Sequence, residues 1–215
     1  MITREEIENA LRNHAAGSVS HTRDFSVLLP LVEKDGELHI LYEVRSDDLD
    51  VQPGEVSFPG GAVEDGETLK DAAVRETSEE LGILPGEITV LAELNYLVTY
   101  SNFTLYCFLG EIPYPALAAA EANRAEVKET FLVPLSFFCQ TEPEIYFNRL
   151  AVCPDPNFPT EKISAHGGYT WRTGTNEVMI YTWKDAGSGK EYVIWGMTAK
   201  LTWDFVRLLR LCGLA

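Results

Sequence analysis

The stretch "GGAVEDGETLKDAAVRETSEELGI", residues 60–83, decides how this chain folds. Thr68, with the acid Asp71 three positions later, is a helix-capping signal, and Gly82 is typical of the position just past a helix end. The stretch therefore predicts a helix from about residue 69 to residue 81. This helix carries three acids close together: Glu76, Glu79 and Glu80.

The position of these acids on the helix bears on their role. At ~100° per residue, Leu69 and Ala73 face the core. Glu76 and Glu80 fall at the edge of the same arc, with Glu79 beside them. Acids on a solvated face belong opposite the apolar side, and like charges four residues apart repel each other. A divalent cation, which prefers oxygen ligands, would remove that repulsion. On the helical wheel alone, a metal site and solvated surface charge remain equal alternatives.

The spacing within the stretch matches a known pattern. Its fixed positions are Gly61, Glu67, Arg75, Glu76, Glu79, Glu80 and Gly82. Residues 61–83 resemble the Nudix box, GX5EX7REUXEEXGU, in which U is a bulky aliphatic residue. Seven fixed positions at ~7% average usage give odds on the order of 10⁻⁸ per starting point, so chance does not explain the match. Thr77 departs from the pattern, at the first aliphatic position.

The resemblance implies a fold, a reaction and a cofactor. The fold is a single-domain α/β/α sandwich with a mixed β-sheet, and the reaction is hydrolysis of the pyrophosphate in a nucleoside diphosphate linked to another group. Glu76 and Glu80 would be the principal ligands of Mg²⁺ or Mn²⁺. Glu79 would be a third ligand or the base that activates water, and which glutamate is the base stays open. Arg75 would orient the glutamates by pairing with Glu67.

The flanking sequence resembles one subgroup of this family. "LYEVRSDDLDVQPGEVSFPGG", residues 41–61, is similar to the upstream motif of coenzyme A pyrophosphatases, LLTXRS-X3-R-X3-G-X3-FPGG. The resemblance covers roughly residues 24–138 and 190–211. It implies that substrate contacts come from Arg45, Gly60 and Gly61.

Two positions depart from the subgroup motif, and two others have competing explanations. Asp50 replaces the motif's arginine, and Gln52 stands where a histidine is common. An acid in place of a cation near a polyanionic substrate would change which phosphates are tolerated. Arg45 is either a substrate contact or a strand-end surface charge. Glu126 is either an additional carboxylate of the site or an exposed loop acid.

Three functions therefore compete. The first is a metal-dependent hydrolase that cuts coenzyme A or acyl-coenzyme A to 3′,5′-ADP and (acyl-)phosphopantetheine. The second is a pyrophosphatase for ADP-ribose or another nucleoside diphosphate derivative. The third is a ligand-sensing Nudix domain without turnover, against which the intact acids of the box weigh.

Composition restricts the partners. The 215 residues carry 33 acids against 17 Lys plus Arg, a net charge of −16. Such a surface argues against nonspecific binding to nucleic acid or to an anionic membrane. No apolar run approaches the ~20 residues that cross a bilayer, and the charged N-terminus lacks a signal-peptide pattern. We expect a cytoplasmic protein whose partner is a small nucleotide, with a homodimer as an open alternative.

The remaining elements indicate one domain over residues 1–215. A short N-terminal helix is predicted at 3–14, begun by a Thr3–Glu6 capping box, and a C-terminal helix at about 198–211, with Thr198 as its N-cap. Strand-like runs surround a hairpin signal at Asp35-Gly36 and recur in "ITVLAELNYLVT", "FTLYCFLGEI", "TFLVPLSFF", "EIYF" and "EVMIYTW". The mixed order favours an α/β or α+β class.

The other candidate residues receive ordinary interpretations. Residues 153–175 are the predicted long loop. Buried thiols in a reducing compartment are favoured over disulfides or zinc for Cys107, Cys139, Cys153 and Cys212. Surface positions are favoured for His21 and His166. Strand packing is favoured over an adenine-stacking shelf for Trp171, Tyr181 and Trp183.

Overall fold

The structure is a computed structural model that describes residues 2–14, 19, 23–163 and 169–214. Its strands are, in chain order, β1 (Arg23–Lys34), β2 (Glu37–Arg45), β3 (Val56–Ser57), β4 (Gly60–Ala62), β5 (Thr89–Glu93), β6 (Leu97–Val98), β7 (Phe103–Glu111), β8 (Val127–Pro134), β9 (Glu144–Leu150), β10 (Gly174–Lys184) and β11 (Glu191–Trp195). The helices are α1 (Arg4–Leu11), α2 (Leu69–Leu81), α3 (Tyr114–Ala119), α4 (Leu135–Gln140), α5 (Thr160–Ile163) and α6 (Gly196–Leu211), with a 3₁₀ turn at Pro85–Glu87.

The central sheet is mixed, as the α/β prediction requires. Its strand order is β3-β2-β1-β7-β5, with β8 also paired to β2, β4 to β1 and β6 to β7. β1 runs antiparallel to β2 through the predicted hairpin, where Asp35 and Gly36 both have positive φ, 54° and 80°. This pair of positive φ values suits the tight two-residue turn that matches strand twist. β1 runs parallel to β7, so the chain between them must cross over the sheet, and α2 lies within that crossing.

Successive side chains of β1 pack into two separate hydrophobic cores, because side chains alternate between the two faces of a strand. Leu28 packs in a cluster with Ala73 and Leu81 of α2. Leu29 packs on the opposite face, in a cluster that includes Phe205 of α6. The central sheet therefore lies between a layer containing α2 and a layer containing α6.

A second, three-stranded sheet adds to the α6 layer. Its order is β11-β10-β9, and all its pairs are antiparallel. Tyr192 of β11 stacks on Phe131 of β8, with ring centroids 3.7 Å apart. The sequence predicts strands in the regions of β9 and β10 but does not assign β11. β11 has only five residues and leads directly into α6.

The start of α6 corrects one expectation. Thr198 is not its N-cap, because the helix begins at Gly196, after Trp195. The positive φ of Gly196, 64°, lets the chain turn from β11 into the helix two residues before Thr198. The Thr198 hydroxyl instead donates to the carbonyl oxygen of Val56, at 3.2 Å, and so ties α6 to the central sheet.

The cysteine prediction is wrong for two of four residues. Cys107 is buried and Cys139 is half-buried, but Cys153 and Cys212 are exposed. All four are free thiols. Both exposed residues lie outside the packed layers, Cys153 in the loop after β9 and Cys212 just past the end of α6.

The predicted long loop contains the short helix α5, and the aromatic residues near it divide into two groups. Tyr181 packs edge-on against Phe138 in the core, as expected for strand packing. Trp171 lies before β10 and contacts Phe158 and Tyr169 instead, so strand packing is wrong for this residue. His21 and His166 lie outside the described residues. Among the helices described, none is long and apolar enough to cross a bilayer.

Candidate active site

Helix α2 presents the glutamates, and both of its predicted ends are confirmed. The Thr68 side chain accepts a hydrogen bond from the Asp71 N–H at 3.1 Å. Gly82 ends the helix with φ 69°, and its N–H donates to the Ser78 carbonyl at 3.0 Å. Thr77, the departure from the box, is buried, and its hydroxyl donates to the Ala73 carbonyl at 2.7 Å. This bond satisfies the buried hydroxyl of Thr77, a polar group that the aliphatic residue of the box would not have.

The three helix glutamates lie at different depths. Glu80 is only 5% exposed and belongs to the buried face of α2. Glu76 is half-buried, and Glu79 is exposed. Glu80 therefore lies deeper than the edge position that the helical wheel predicts. A carboxylate buried this far requires compensation from neighbouring groups.

Arg75 gathers four oxygen atoms from three glutamates. Its Nε and Nη2 donate to the two carboxylate oxygens of Glu67, at 2.9 and 3.1 Å. Its Nη1 donates to Glu76 Oε1 at 2.9 Å and to Glu79 Oε2 at 3.2 Å. Nη2 also donates to the Ala62 carbonyl at 3.2 Å. The bidentate contact with Glu67 raises the pKa of Arg75, so this guanidinium is a permanent cation that orients its neighbours.

Two glycines bring the backbone close to the glutamates. The Gly60 N–H donates to Glu80 Oε2 at 2.8 Å. The φ of Gly60 is 150°, and a Cβ there would meet the Ser26 carbonyl oxygen and lie 2.6 Å from the Cα of Val27. A Cβ on Gly61 would lie 2.6 Å from Oε2 of Glu76. Only glycine at these two positions lets both carboxylates keep their places.

A further carboxylate comes from the central sheet. Glu43 of β2 is 1% exposed, and the Ser57 hydroxyl donates to its Oε1 at 3.0 Å. Burial raises the pKa of Glu80 to about 9, and the charge of Glu43 adds to this shift. Burial likewise raises the pKa of Glu43 to about 7, with further upward contributions from Glu126 and Glu76. We call Glu43, Glu76, Glu80 and Glu126 the acidic cluster.

The acidic cluster fits a divalent cation. Its donors are all carboxylate oxygens, the ligands that Mg²⁺ and Mn²⁺ accept, and one of them, Glu43 Oε2, is buried without a hydrogen-bond partner. In the part of the chain that the structure describes, no three acidic, histidine or cysteine side chains already form a closed set of metal ligands. A cation would have to draw the carboxylates together against their mutual repulsion.

The remaining predicted residues are Glu126, Arg45 and Asp50. Burial is the main cause of the raised pKa of Glu76 and of Glu80, and the charge of Glu126, an exposed residue, adds to both shifts. Arg45 donates from Nε and Nη2 to the Val51 carbonyl, at 3.4 and 3.3 Å, and so braces the loop after β2. Asp50 is exposed on that same loop. The sequence did not point to Glu43, although an acid between apolar neighbours in a strand was an available signal.

Known proteins resemble this chain in sequence. The family profile described as NUDIX domain matches residues 22–145. The Mus musculus protein named peroxisomal coenzyme A diphosphatase NUDT7 is 33% identical over 82% of this chain and 66% of its own length. Nudix hydrolase 3 of Caenorhabditis elegans is 35% identical over 51% of this chain and 47% of its own length. The chain thus spans less than two thirds of these relatives.

Solved structures also match. The Nudix hydrolase RenU from M. Smegmatis is 23% identical, with a TM-score of 0.45, over 53% of this chain and 71% of that chain. The family profile covers more than half of the sequence and includes every member of the acidic cluster. The protein belongs to the NUDIX family.

Proposed function

We propose that this protein is a divalent-cation-dependent hydrolase that cleaves the pyrophosphate bond of coenzyme A or its acyl esters. The products would be 3′,5′-ADP and phosphopantetheine or acyl-phosphopantetheine. The observation that carries the proposal is the buried Glu80, held by the Gly60 N–H beside three other carboxylates. Two of these acids, Glu80 and Glu43, are buried, which is unfavourable for stability alone, and a cation-assisted reaction explains them.

The chain's own residues can position the reaction. Bound Mg²⁺ or Mn²⁺ would supply charge neutralisation at the phosphates and a more acidic water. Arg75 holds Glu76 and Glu79 in fixed orientations. Glu79 is the most exposed of the box glutamates, so it can accept the proton of an attacking water from the solvent side. The water oxygen then bonds to phosphorus, and the bond from phosphorus to the bridging oxygen breaks.

Coenzyme A is favoured as the substrate by two observations. The mouse relative is named a coenzyme A diphosphatase. The upstream motif of that subgroup is matched at Arg45-Ser46, Gly54 and residues 58–61. One observation favours ADP-ribose or a related nucleotide instead, namely the exposed acid Asp50 where that motif has an arginine.

A substrate panel tests the proposal. The full chain is incubated with Mg²⁺ or Mn²⁺ and coenzyme A, acetyl-coenzyme A, dephospho-coenzyme A or ADP-ribose, and the products are resolved by chromatography. We expect 3′,5′-ADP from the first two compounds. Cleavage of ADP-ribose alone would assign the second function. Binding without cleavage of any compound would assign a ligand-sensing domain.

Metal ions should stabilise the folded protein. The carboxylates of the acidic cluster repel each other without a cation, and the cation binds only the folded chain. At a concentration one hundred times its Kd, the cation adds ~2.7 kcal/mol to the free energy of unfolding. We expect thermal melts in millimolar Mg²⁺ or Mn²⁺ to lie several degrees above melts in EDTA. Equal melting temperatures would contradict the metal site.

Asp50 should reduce the benefit of the 3′-phosphate. An acid at this position repels the dianion that an arginine would bind. We expect dephospho-coenzyme A to be cut with a kcat/KM within about threefold of that for coenzyme A, a difference below ~1 kcal/mol. Asp50→Arg should improve coenzyme A selectively. A hundredfold preference of the wild type for coenzyme A would show that another cation binds this phosphate.

Location and assembly also belong to the proposal. The cytoplasmic location and the homodimer stay predictions, and the name of the mouse relative places that protein in the peroxisome. Light scattering during gel filtration measures the assembly, and imaging of the tagged full-length protein measures its location.

A further inference from the structure

Glu43 is a buried residue, and one of its two carboxylate oxygens has no hydrogen-bond partner. It lies on β2 opposite Ser57 of β3, and the Ser57 hydroxyl donates to its Oε1 at 3.0 Å. Its Oε2 is buried and has no hydrogen-bond partner. A buried acceptor without a partner costs free energy, and a buried charge without one costs more. Something other than folding stability must account for this oxygen.

The positively charged Arg45 side chain does not supply the missing hydrogen-bond partner of Glu43 Oε2. Arg45 is two residues away, and its charge lowers the pKa of Glu43. Its guanidinium, however, donates to the Val51 carbonyl through Nε and Nη2. Among the described residues, Glu43 takes part in no salt bridge. The Arg45 charge therefore reduces the cost of Glu43 without occupying Oε2.

The alternation of β2 shows where Glu43 points. Leu41 and Glu43 share one face of the strand, since side chains alternate with a period of two. Leu41 packs with Ala73 and Leu81 of helix α2. Glu43 therefore faces the same helix, and its charge acts on Glu80. The buried, unpartnered oxygen therefore belongs to a side chain on the α2 side of the sheet.

We infer that Glu43 is a further ligand of the divalent cation, contributed by the central sheet from outside the glutamate-rich helix. The inference rests on the proposed function, because it concerns the same cation as Glu76 and Glu80. With Glu43 as a ligand, the cation is held between β2 and α2 rather than on the surface of one helix. The otherwise unpartnered Oε2 then coordinates the cation.

A structural alternative has different consequences. Glu43 and Glu80 could share one proton and so stabilise the contact between sheet and helix without any cation. In that case, removal of the Glu43 charge would destabilise the cation-free protein and leave cation affinity unchanged. If Glu43 is a ligand, removal of its charge should weaken cation binding and should not destabilise the cation-free protein.

The experiment measures Mn²⁺ binding and stability in the full chain. Mn²⁺ alone is titrated calorimetrically, and free Mn²⁺ is followed by electron paramagnetic resonance. We expect Glu43→Gln to raise the Kd for Mn²⁺ at least tenfold, as loss of a ligand or its support does. Its melting temperature in EDTA should equal or exceed that of the wild type. The control Glu55→Gln removes a half-buried acid near Arg45 but outside the acidic cluster, and should change the Kd less than twofold.

The outcomes separate this inference from the proposed function. If Glu80→Gln weakens Mn²⁺ binding while Glu43→Gln does not, the ligand role of Glu43 is wrong and the metal site stands. If the wild type binds no Mn²⁺, both fail. Should Glu43→Gln not fold, Glu43→Asp keeps the charge but withdraws the carboxylate by one methylene. We expect at least fivefold weaker binding by this variant, and wild-type affinity would overturn the inference.

Discussion

Glu80→Gln is expected to lower kcat at least ~100-fold while the protein stays folded, because under the proposed function the change removes a charged ligand of the cation. The glutamine oxygen can still accept the Gly60 N–H that Glu80 Oε2 accepts now, at 2.8 Å. Burial raises the pKa of Glu80, and the charge of Glu43 adds to this shift, so without a cation the neutral form of this side chain is favoured relative to a free glutamate. Glutamine imitates that neutral form, so stability in EDTA should be unchanged.

Steady-state kinetics with saturating Mg²⁺, together with circular dichroism and thermal melts in EDTA, check this expectation. Glu87→Gln is the matched control, since Glu87 is an exposed acid in the 3₁₀ turn after α2, outside the acidic cluster. It should keep kcat within about twofold of the wild type. A folded Glu80→Gln variant with near-wild-type turnover would show that Glu80 does not bind the catalytic cation.

Gly60→Ala should mainly reduce the stability of the protein, whereas Gly61→Ala should mainly reduce its activity. At Gly60 the new Cβ meets the backbone of Ser26 and Val27, which cannot move away, and the φ of 150° suits glycine. We expect a loss of about 3 kcal/mol or more in the free energy of unfolding, from overpacking and backbone strain. At Gly61 the three atoms nearest to the new Cβ all belong to the Glu76 carboxylate, the end of a flexible side chain.

Gly61→Ala should therefore displace the Glu76 carboxylate without unfolding the protein. We expect kcat/KM to fall roughly 10- to 100-fold, as it does when a group is misplaced by about 1 Å, with a stability loss below about 1 kcal/mol. Thermal melts of both variants in EDTA and kinetics in Mg²⁺ test the contrast. Equal stability losses in the two variants would mean that Glu76 cannot move and that the Gly61 contact is structural.

Much of the local structure follows from the sequence. Helix α2 has the ends that Thr68 and Gly82 predict, because capping and positive φ depend on neighbouring residues only. The β1–β2 hairpin forms at Asp35-Gly36 for the same reason. The glutamate spacing likewise predicts the helix that carries Glu76, Glu79 and Glu80. Each of these features is encoded within one turn or one helix.

Tertiary packing decided the rest, because it joins positions that are distant along the chain. Thr198 has the chemistry of an N-cap, but its hydroxyl bonds to Val56, 142 residues away, once β11 and α6 are placed. Gly60 is required because β1 passes directly behind it. Glu43 is an unremarkable strand acid in the sequence, and only the packing of β2 against α2 buries it beside Glu80. The periodicity of apolar residues in the sequence determines which residues form each helix and strand. Sheet register and the packing of the layers determine which carboxylates lie close together.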